Sequence, residues 1–236
     1  AGFRADNACF ETPITFTDTT QYSQGDLTYA WDFGNGDTSS EQSPVYTYAE
    51  TGKYRVSLTV TSANGCSSNA FAFYDVEPIP EVRFLADDAC EGQNVSFTNL
   101  TAQNIETLNY NWDLGDGTSS SDFEPSHLYA ESGTYTVTLT VGSDFGCQAT
   151  FTKDVIVQAL PVVGFNFNNV CDGFAMNFTN ETTIANGAIT EYLWDFGDFT
   201  NSIFENPEKI YLNSGTYEVK LTAVSEQGCV TEHTDS

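Results

Sequence analysis

Six cysteines, two histidines and 33 carboxylates are the residues of this chain with chemistry to offer. Their spacing decides which chemistry. The cysteines fall as Cys9 and Cys66, Cys90 and Cys147, and Cys171 and Cys229, with separations of 57, 57 and 58 residues. No C-x-x-C occurs, and no histidine recurs at an equivalent place beside the pairs, which disfavours zinc. The simple reading is one disulfide inside each pair, Cys9–Cys66, Cys90–Cys147 and Cys171–Cys229, formed in an oxidising compartment. Hard cations take several carboxylate and carbonyl oxygens. Asp87, Asp88 and Glu91 form one cluster that calcium would use, and Asp116, Asp122 and Glu124 form another. No D-x-[DN]-x-[DN]-G spacing is present, so a solvated acidic face is the competing reading. Enzymatic chemistry has little support: His127 and His233 are not equivalent, and no G-x-S-x-G, Gly-rich phosphate loop or H-E-x-x-H occurs. No catalytic residue is assigned, no cofactor is required, and calcium is the only metal the donor set suggests.

The elements that must position these residues are written three times. Tyr29-Ala30-Trp31-Asp32-Phe33-Gly34 returns as Tyr110-Asn111-Trp112-Asp113-Leu114-Gly115 and as Tyr192-Leu193-Trp194-Asp195-Phe196-Gly197. Each tryptophan is followed at fixed distance by a proline (Pro44, Pro125, Pro207) and a tyrosine (Tyr48, Tyr129, Tyr211). A glycine (Gly52, Gly133, Gly215), a second tyrosine (Tyr54, Tyr135, Tyr217) and the second cysteine of the pair then follow, again at fixed distance. Self-similarity at such a period fixes the architecture before local propensity does. It predicts three small domains at 1–80, 81–161 and 162–236, joined by short proline-bearing linkers that act as semi-rigid spacers. Three such domains in line make a rod.

Within each repeat, apolar and polar residues alternate over short runs broken by turn residues, the pattern of half-buried strands. Tyr135, Val137, Leu139 and Val141 alternate with Thr134, Thr136, Thr138 and Thr140. Trp31, Trp112 and Trp194 fall on the apolar face and read as core. Asp32, Asp113 and Asp195 alternate to the other face and read as turn-ordering carboxylates. The fold class is therefore all-β, three antiparallel sandwiches in tandem. Repeat three holds one extra residue between Phe178 and Trp194, which is expected in the loop at Asn186-Gly187. It also places Phe199 where repeats one and two have Gly36 and Gly117.

The strings WDFGNGDT, WDLGDGTS and WDFGDFTN, each followed by P…Y…G-x-Y-x-V-x-L-T, resemble the PKD (polycystic kidney disease) domain over essentially the whole chain. That resemblance implies an immunoglobulin-like β-sandwich of extracellular, often tandem, proteins. The version with two cysteines per repeat is similar to arrays in very large surface proteins of Bacteroidetes, including gliding and adhesion proteins. The expected role is then a non-catalytic stalk, spacer or adhesive filament segment. Its partners are neighbouring modules of the parent chain or of other protomers, with a surface protein or polysaccharide beyond them. The alternative is a set of accessory modules that position a secreted hydrolase on a polymer.

With 33 acids against 7 bases and a formal charge of −26, the surface repels nucleic acid and anionic lipid. The acids are spread about evenly over the repeats, so this is no acidic tail. No apolar run approaches the ~20 residues of a membrane span. Repeats one and two continue through a closing strand to Val76 and Val157, whereas repeat three reaches only Ser236. The chain is therefore expected to be a piece of a longer array whose third module lacks part of that strand.

Overall fold

The computed structural model describes residues 1–23, 25–102, 107–171 and 173–236. Every element among them is a strand. The first module builds a five-stranded sheet in the order Ala8–Cys9, Ser67–Glu77, Gly52–Ser62, Leu27–Asp32 and Thr38–Ser39. Two short pairs face it, Phe3–Arg4 with Thr17–Asp18 and Ile14–Thr15 with Val45–Tyr46. The second module repeats this order strand for strand, from Ala89–Cys90 to Ser119–Ser120. In the third, Asn201–Ser202, Ile189–Asp195, Val219–Ser225 and Val230–Asp235 form one sheet, and Phe165–Phe167, Ala175–Asn180 and Glu208–Ile210 the other.

Three separate cores lie between these sheets, each centred on its tryptophan. Trp31, Trp112 and Trp194 are buried. Each meets the edge of a ring from the first strand of its module: Phe3 at 5.0 Å, Phe84 at 4.9 Å and Phe165 at 5.0 Å. Edge-to-face packing suits the ring quadrupoles, and the indole N–H still needs an acceptor when buried. The carbonyls of Glu41, Asp122 and Phe204 supply it at 2.8–2.9 Å. One tyrosine per core, buried in the first two modules and partly buried in the third, also reaches a backbone carbonyl. The hydroxyls of Tyr48, Tyr129 and Tyr211 donate to the carbonyls of Phe33, Leu114 and Phe196. Burial raises all three phenols, Tyr211 to about 12.

Two local expectations need correction. The extra residue of repeat three is not in the Asn186-Gly187 loop. Ile189 pairs with Ser225 and Glu191 with Val224, so Thr190 is bulged out of the strand itself. Leu27 and Leu108 hold the same register against Ser62 and Ser143. A plain insertion would have turned every side chain before it to the wrong face, and the bulge restores Ile189 to the place of those leucines. The Thr190 hydroxyl donates to Val224 O at 3.3 Å across the irregularity. The second correction concerns strand direction, expected to be antiparallel throughout. Ala8–Cys9 and Ala89–Cys90 are short strands that pair in parallel with Val76–Glu77 and Val157–Gln158, in sheets otherwise antiparallel.

Phe199 keeps the turn that its side chain strains. Its φ is 66°, beside 100° at Gly36 and 88° at Gly117, and the ring is fully exposed. A left-handed conformation costs an L-residue roughly 1–2 kcal/mol, and no packing offsets it here. Phe199→Gly is expected to stabilise the third module by about 1 kcal/mol after the added chain entropy of glycine is deducted. A thermal melt that shows no rise would contradict this.

Candidate functional site

The turn after each tryptophan carries the same side-chain hydrogen bond in all three modules. Asp32, Asp113 and Asp195 point away from the core, and their Oδ1 atoms accept from the backbone N–H of Gly34, Gly115 and Gly197 at 2.9–3.0 Å. Such short side-chain bonds fix a turn locally. Those glycines have φ of 82°, 83° and 74° and lie against the backbone of Arg55, Thr136 and Glu218. The side chain fifteen residues after each tryptophan then closes over the turn, with a different chemistry in each module. Tyr46 donates to Asp37 and accepts from Asn35, His127 Nε2 stands 2.6 Å from Asp116 Oδ2, and Lys209 stands 2.6 Å from Asp198 Oδ2.

In the second module this contact has a pH signature. Burial alone would raise the Asp116 carboxyl, but hydrogen bonds from Thr118 and His127 outweigh it and hold the group at about 2. An unfolded aspartate titrates near 3.9. The contact's contribution is therefore complete above about pH 4 and is lost as pH falls toward about 2. Asp116→Asn is expected to cost the second module about 1 kcal/mol at neutral pH, because the pair is partly solvated. The variant should also flatten that acid limb, and acid titrations with identical slopes in both proteins would contradict the assignment.

Four of the six carboxylates expected in the two calcium clusters serve separate strand ends and turns. Asp88 Oδ1 accepts from Ile156 N at 2.9 Å, and Glu124 Oε1 from Asn99 N at 3.2 Å. Asp122 is bonded to Ser120, and Asp116 to Thr118 and His127. Among the described residues no three His, Cys, Asp or Glu side chains converge to hold a metal ion. His233 lies in the closing strand of the third module with its ring 5.6 Å from Phe165, in a different setting from His127.

The cysteines overturn the within-repeat pairing. The bonds are Cys9–Cys147 and Cys90–Cys229, with Cα–Cα distances of 5.4 and 5.7 Å, while Cys66 and Cys171 are free and exposed. The reason is strand length. Cys9 pairs with Glu77 at the far end of the Ser67–Glu77 strand, whereas Cys66 sits in the hairpin turn just before Ser67. Ten residues at ~3.3 Å each separate the two poles by roughly 33 Å, far beyond the ~7 Å a disulfide can bridge. Cys90, opposite Gln158, and Cys147, just before Gln148, are held apart in the same way. Each module thus carries a loop cysteine at one pole and a hairpin cysteine at the other. Each bond joins the loop pole of one module to the hairpin pole of the next.

The exposed Phe71 and Phe73 do not form a flat platform. Phe71 and Phe73 project from one face of the first module at 86° to one another, with the Arg55 guanidinium 4.1 Å from the centre of the Phe71 ring. Phe199 and Phe204 are exposed on the third module, and Phe123 is half covered by Tyr110. A groove of about 370 Å³ on the third module is lined by Phe167, Phe174, Met176, Gly215 and Tyr217, beside Cys171 and Ser236. Gly133 and Tyr135, the equivalents of Gly215 and Tyr217, pair with the buried Val157 and Val155. No helix of the described residues is long and apolar enough to cross a membrane.

Sheet order, tryptophan-centred cores and repeated turn define a tandem of immunoglobulin-like β-sandwiches. The particular family follows from comparison: the PKD domain matches residues 3–77, 75–157 and 158–236, and the chain belongs to that family. Human polycystin-1 is 34% identical over 142 residues, which is 57% of this chain and 3% of the human protein. The microbial collagenase of Vibrio alginolyticus is 37% identical over 71 residues, 29% of this chain and 9% of that protein. Among solved structures, the PKD1 domain of Vibrio anguillarum Epp is 36% identical and covers 34% of this chain and 93% of its own, with a TM-score of 0.31. This chain thus spans under a tenth of either curated relative.

Proposed function

We propose that this chain is a non-catalytic extracellular spacer, a run of PKD modules that holds an adhesive or enzymatic element away from the surface that bears it. The observation that carries the reading is the covalent link between consecutive modules. A bond from the loop pole of one to the hairpin pole of the next limits bending at a linker that already contains proline. Disulfides of this kind persist in oxidising, non-cytosolic surroundings, which supports an extracellular location. Small-angle scattering of the oxidised chain should give one elongated form, with a longest dimension on the order of 100 Å for three ~80-residue domains in line. A compact envelope would overturn the spacer reading.

A second reading is favoured by the collagenases among the relatives and by the exposed Phe71, Phe73 and Arg55. Here the modules position a hydrolase on a polymer. Retention of the chain on insoluble collagen or polysaccharide, lost in Phe71→Ala, would support it over the spacer.

A further inference from the structure

Two of the six cysteines are free, and they are complementary. Cys66 is the hairpin-pole cysteine of the first module, the equivalent of Cys147 and Cys229. Cys171 is the loop-pole cysteine of the third, the equivalent of Cys9 and Cys90. Both sit in turns that already have the shape of their bonded counterparts. At the hairpin pole, Ser62, Ser143 and Ser225 each donate N–H to the carbonyl of Cys66, Cys147 or Cys229 at 2.8–2.9 Å. Gly65, Gly146 and Gly228, with φ of 79–84°, each donate back to the serine carbonyl. At the loop pole, the carbonyls of Cys9, Cys90 and Cys171 accept from Thr12, Gln93 and Phe174 at 3.0–3.1 Å. The residue two after each cysteine, Glu11, Gly92 or Gly173, has a φ of 59–79°. Two things differ: Cys9 and Cys90 lie in short strands opposite Glu77 and Gln158 while Cys171 lies in none, and coverage is unequal. Cys147 and Cys229 are 1% and 0% exposed, while Cys66 is open to solvent.

We propose that Cys66 and Cys171 are the two halves of a further inter-module disulfide, so that arrays of this kind are joined end to end covalently by the bond that joins their own modules. The partner is another PKD module that offers the complementary cysteine, and a second copy of this chain offers both. This rests on the inter-module pairing of the other four cysteines and not on the spacer role. The bond forms by exchange with an oxidised low-molecular-weight thiol such as glutathione disulfide. The Cys171 thiolate attacks the small disulfide and releases one glutathione thiol. The Cys66 thiolate of the second copy then attacks the Cys171 sulfur of that mixed disulfide and releases the other. Two protein thiols and one small disulfide become one protein disulfide and two small thiols.

The test is to incubate the purified chain at high concentration in a glutathione redox buffer. A non-reducing gel should show a ladder in steps of 25.8 kDa. Peptide mass mapping should find Cys66–Cys171 at least about tenfold over Cys66–Cys66 and Cys171–Cys171, since docking and not collision selects the pair. Cys66→Ser and Cys171→Ser alone should stay monomeric, and an equimolar mixture of the two should stop at dimers. Random proportions of the three pairings, or both thiols left capped by glutathione with no ladder, would overturn the proposal. The same map reports the remaining four cysteines. Cys9–Cys66 or Cys90–Cys147 peptides would show that the inter-module pairing itself had failed, which is a separate result.

Discussion

Gly115→Ala is expected to leave the second module roughly 2–5 kcal/mol weaker, or to unfold it. Two costs coincide at this position. The φ of 83° is a left-handed conformation, roughly 1–2 kcal/mol for a residue with a Cβ. The added Cβ would also stand 2.7 Å from the Thr136 carbonyl oxygen, in the strand that pairs with the tryptophan strand, and backbone there cannot move without opening the sheet. Overpacking of that kind costs about another 1–3 kcal/mol, a large share of the ~5–15 kcal/mol that holds a small domain. Gly117→Ala is the control, because its φ is 88° but nothing lies within 4 Å of the added Cβ. It should cost only about 1 kcal/mol. Hydrogen-exchange protection of the Gly133–Ser143 strand reads both variants, and equal losses would show that the close approach is not what demands glycine.

The paired substitution Cys9→Ser with Cys147→Ser is expected to uncouple the first two modules. The bond joins residues 138 apart, for which loop closure in the unfolded chain is worth about 5 kcal/mol as an upper guide. Because the closed loop takes in most of both modules, its contribution is shared between them. Guanidinium unfolding of the intact chain should show the two modules unfolding together, and the variant should show two earlier, separate transitions. Superimposable curves would mean that the staple adds nothing to either module.

The strand pattern was legible because one face of each strand is buried, and alternation records burial directly. Trp112, Val137 and Leu139 could be placed in the core from period alone, and are 0% exposed. The turn carboxylates Asp32, Asp113 and Asp195 were legible for a similar reason, since their hydrogen bonds span only two residues. The disulfides were not. Equal spacing inside each repeat is compatible with pairing inside or between repeats, and only the 11-residue length of the Ser67–Glu77 strand separates the two. The run from Ser67 to Val76 could have given that signal, because a strand so long places the cysteine before it and the linker after it at opposite poles. The bulge at Thr190 was hidden too. Loop and strand insertions read alike until register is known, and Ile189 two residues before Glu191 is the one clue that apolar phase resumes early.

The staples also decide which parts of the molecule bear load. Tension applied at Ala1 and Ser236 reaches Cys9, crosses to Cys147, follows the chain back to Cys90, crosses to Cys229 and leaves. That covalent route uses only roughly 70 of the 236 residues, so the taut molecule measures on the order of 240 Å at ~3.4 Å per residue, whatever unfolds within it. Residues 10–89 and 148–228 span the same two staples by longer paths, so they share the pull in parallel and set no further limit on the length. The shortest of the three, residues 90–147 of the second module, fixes how far the molecule extends until a disulfide is reduced.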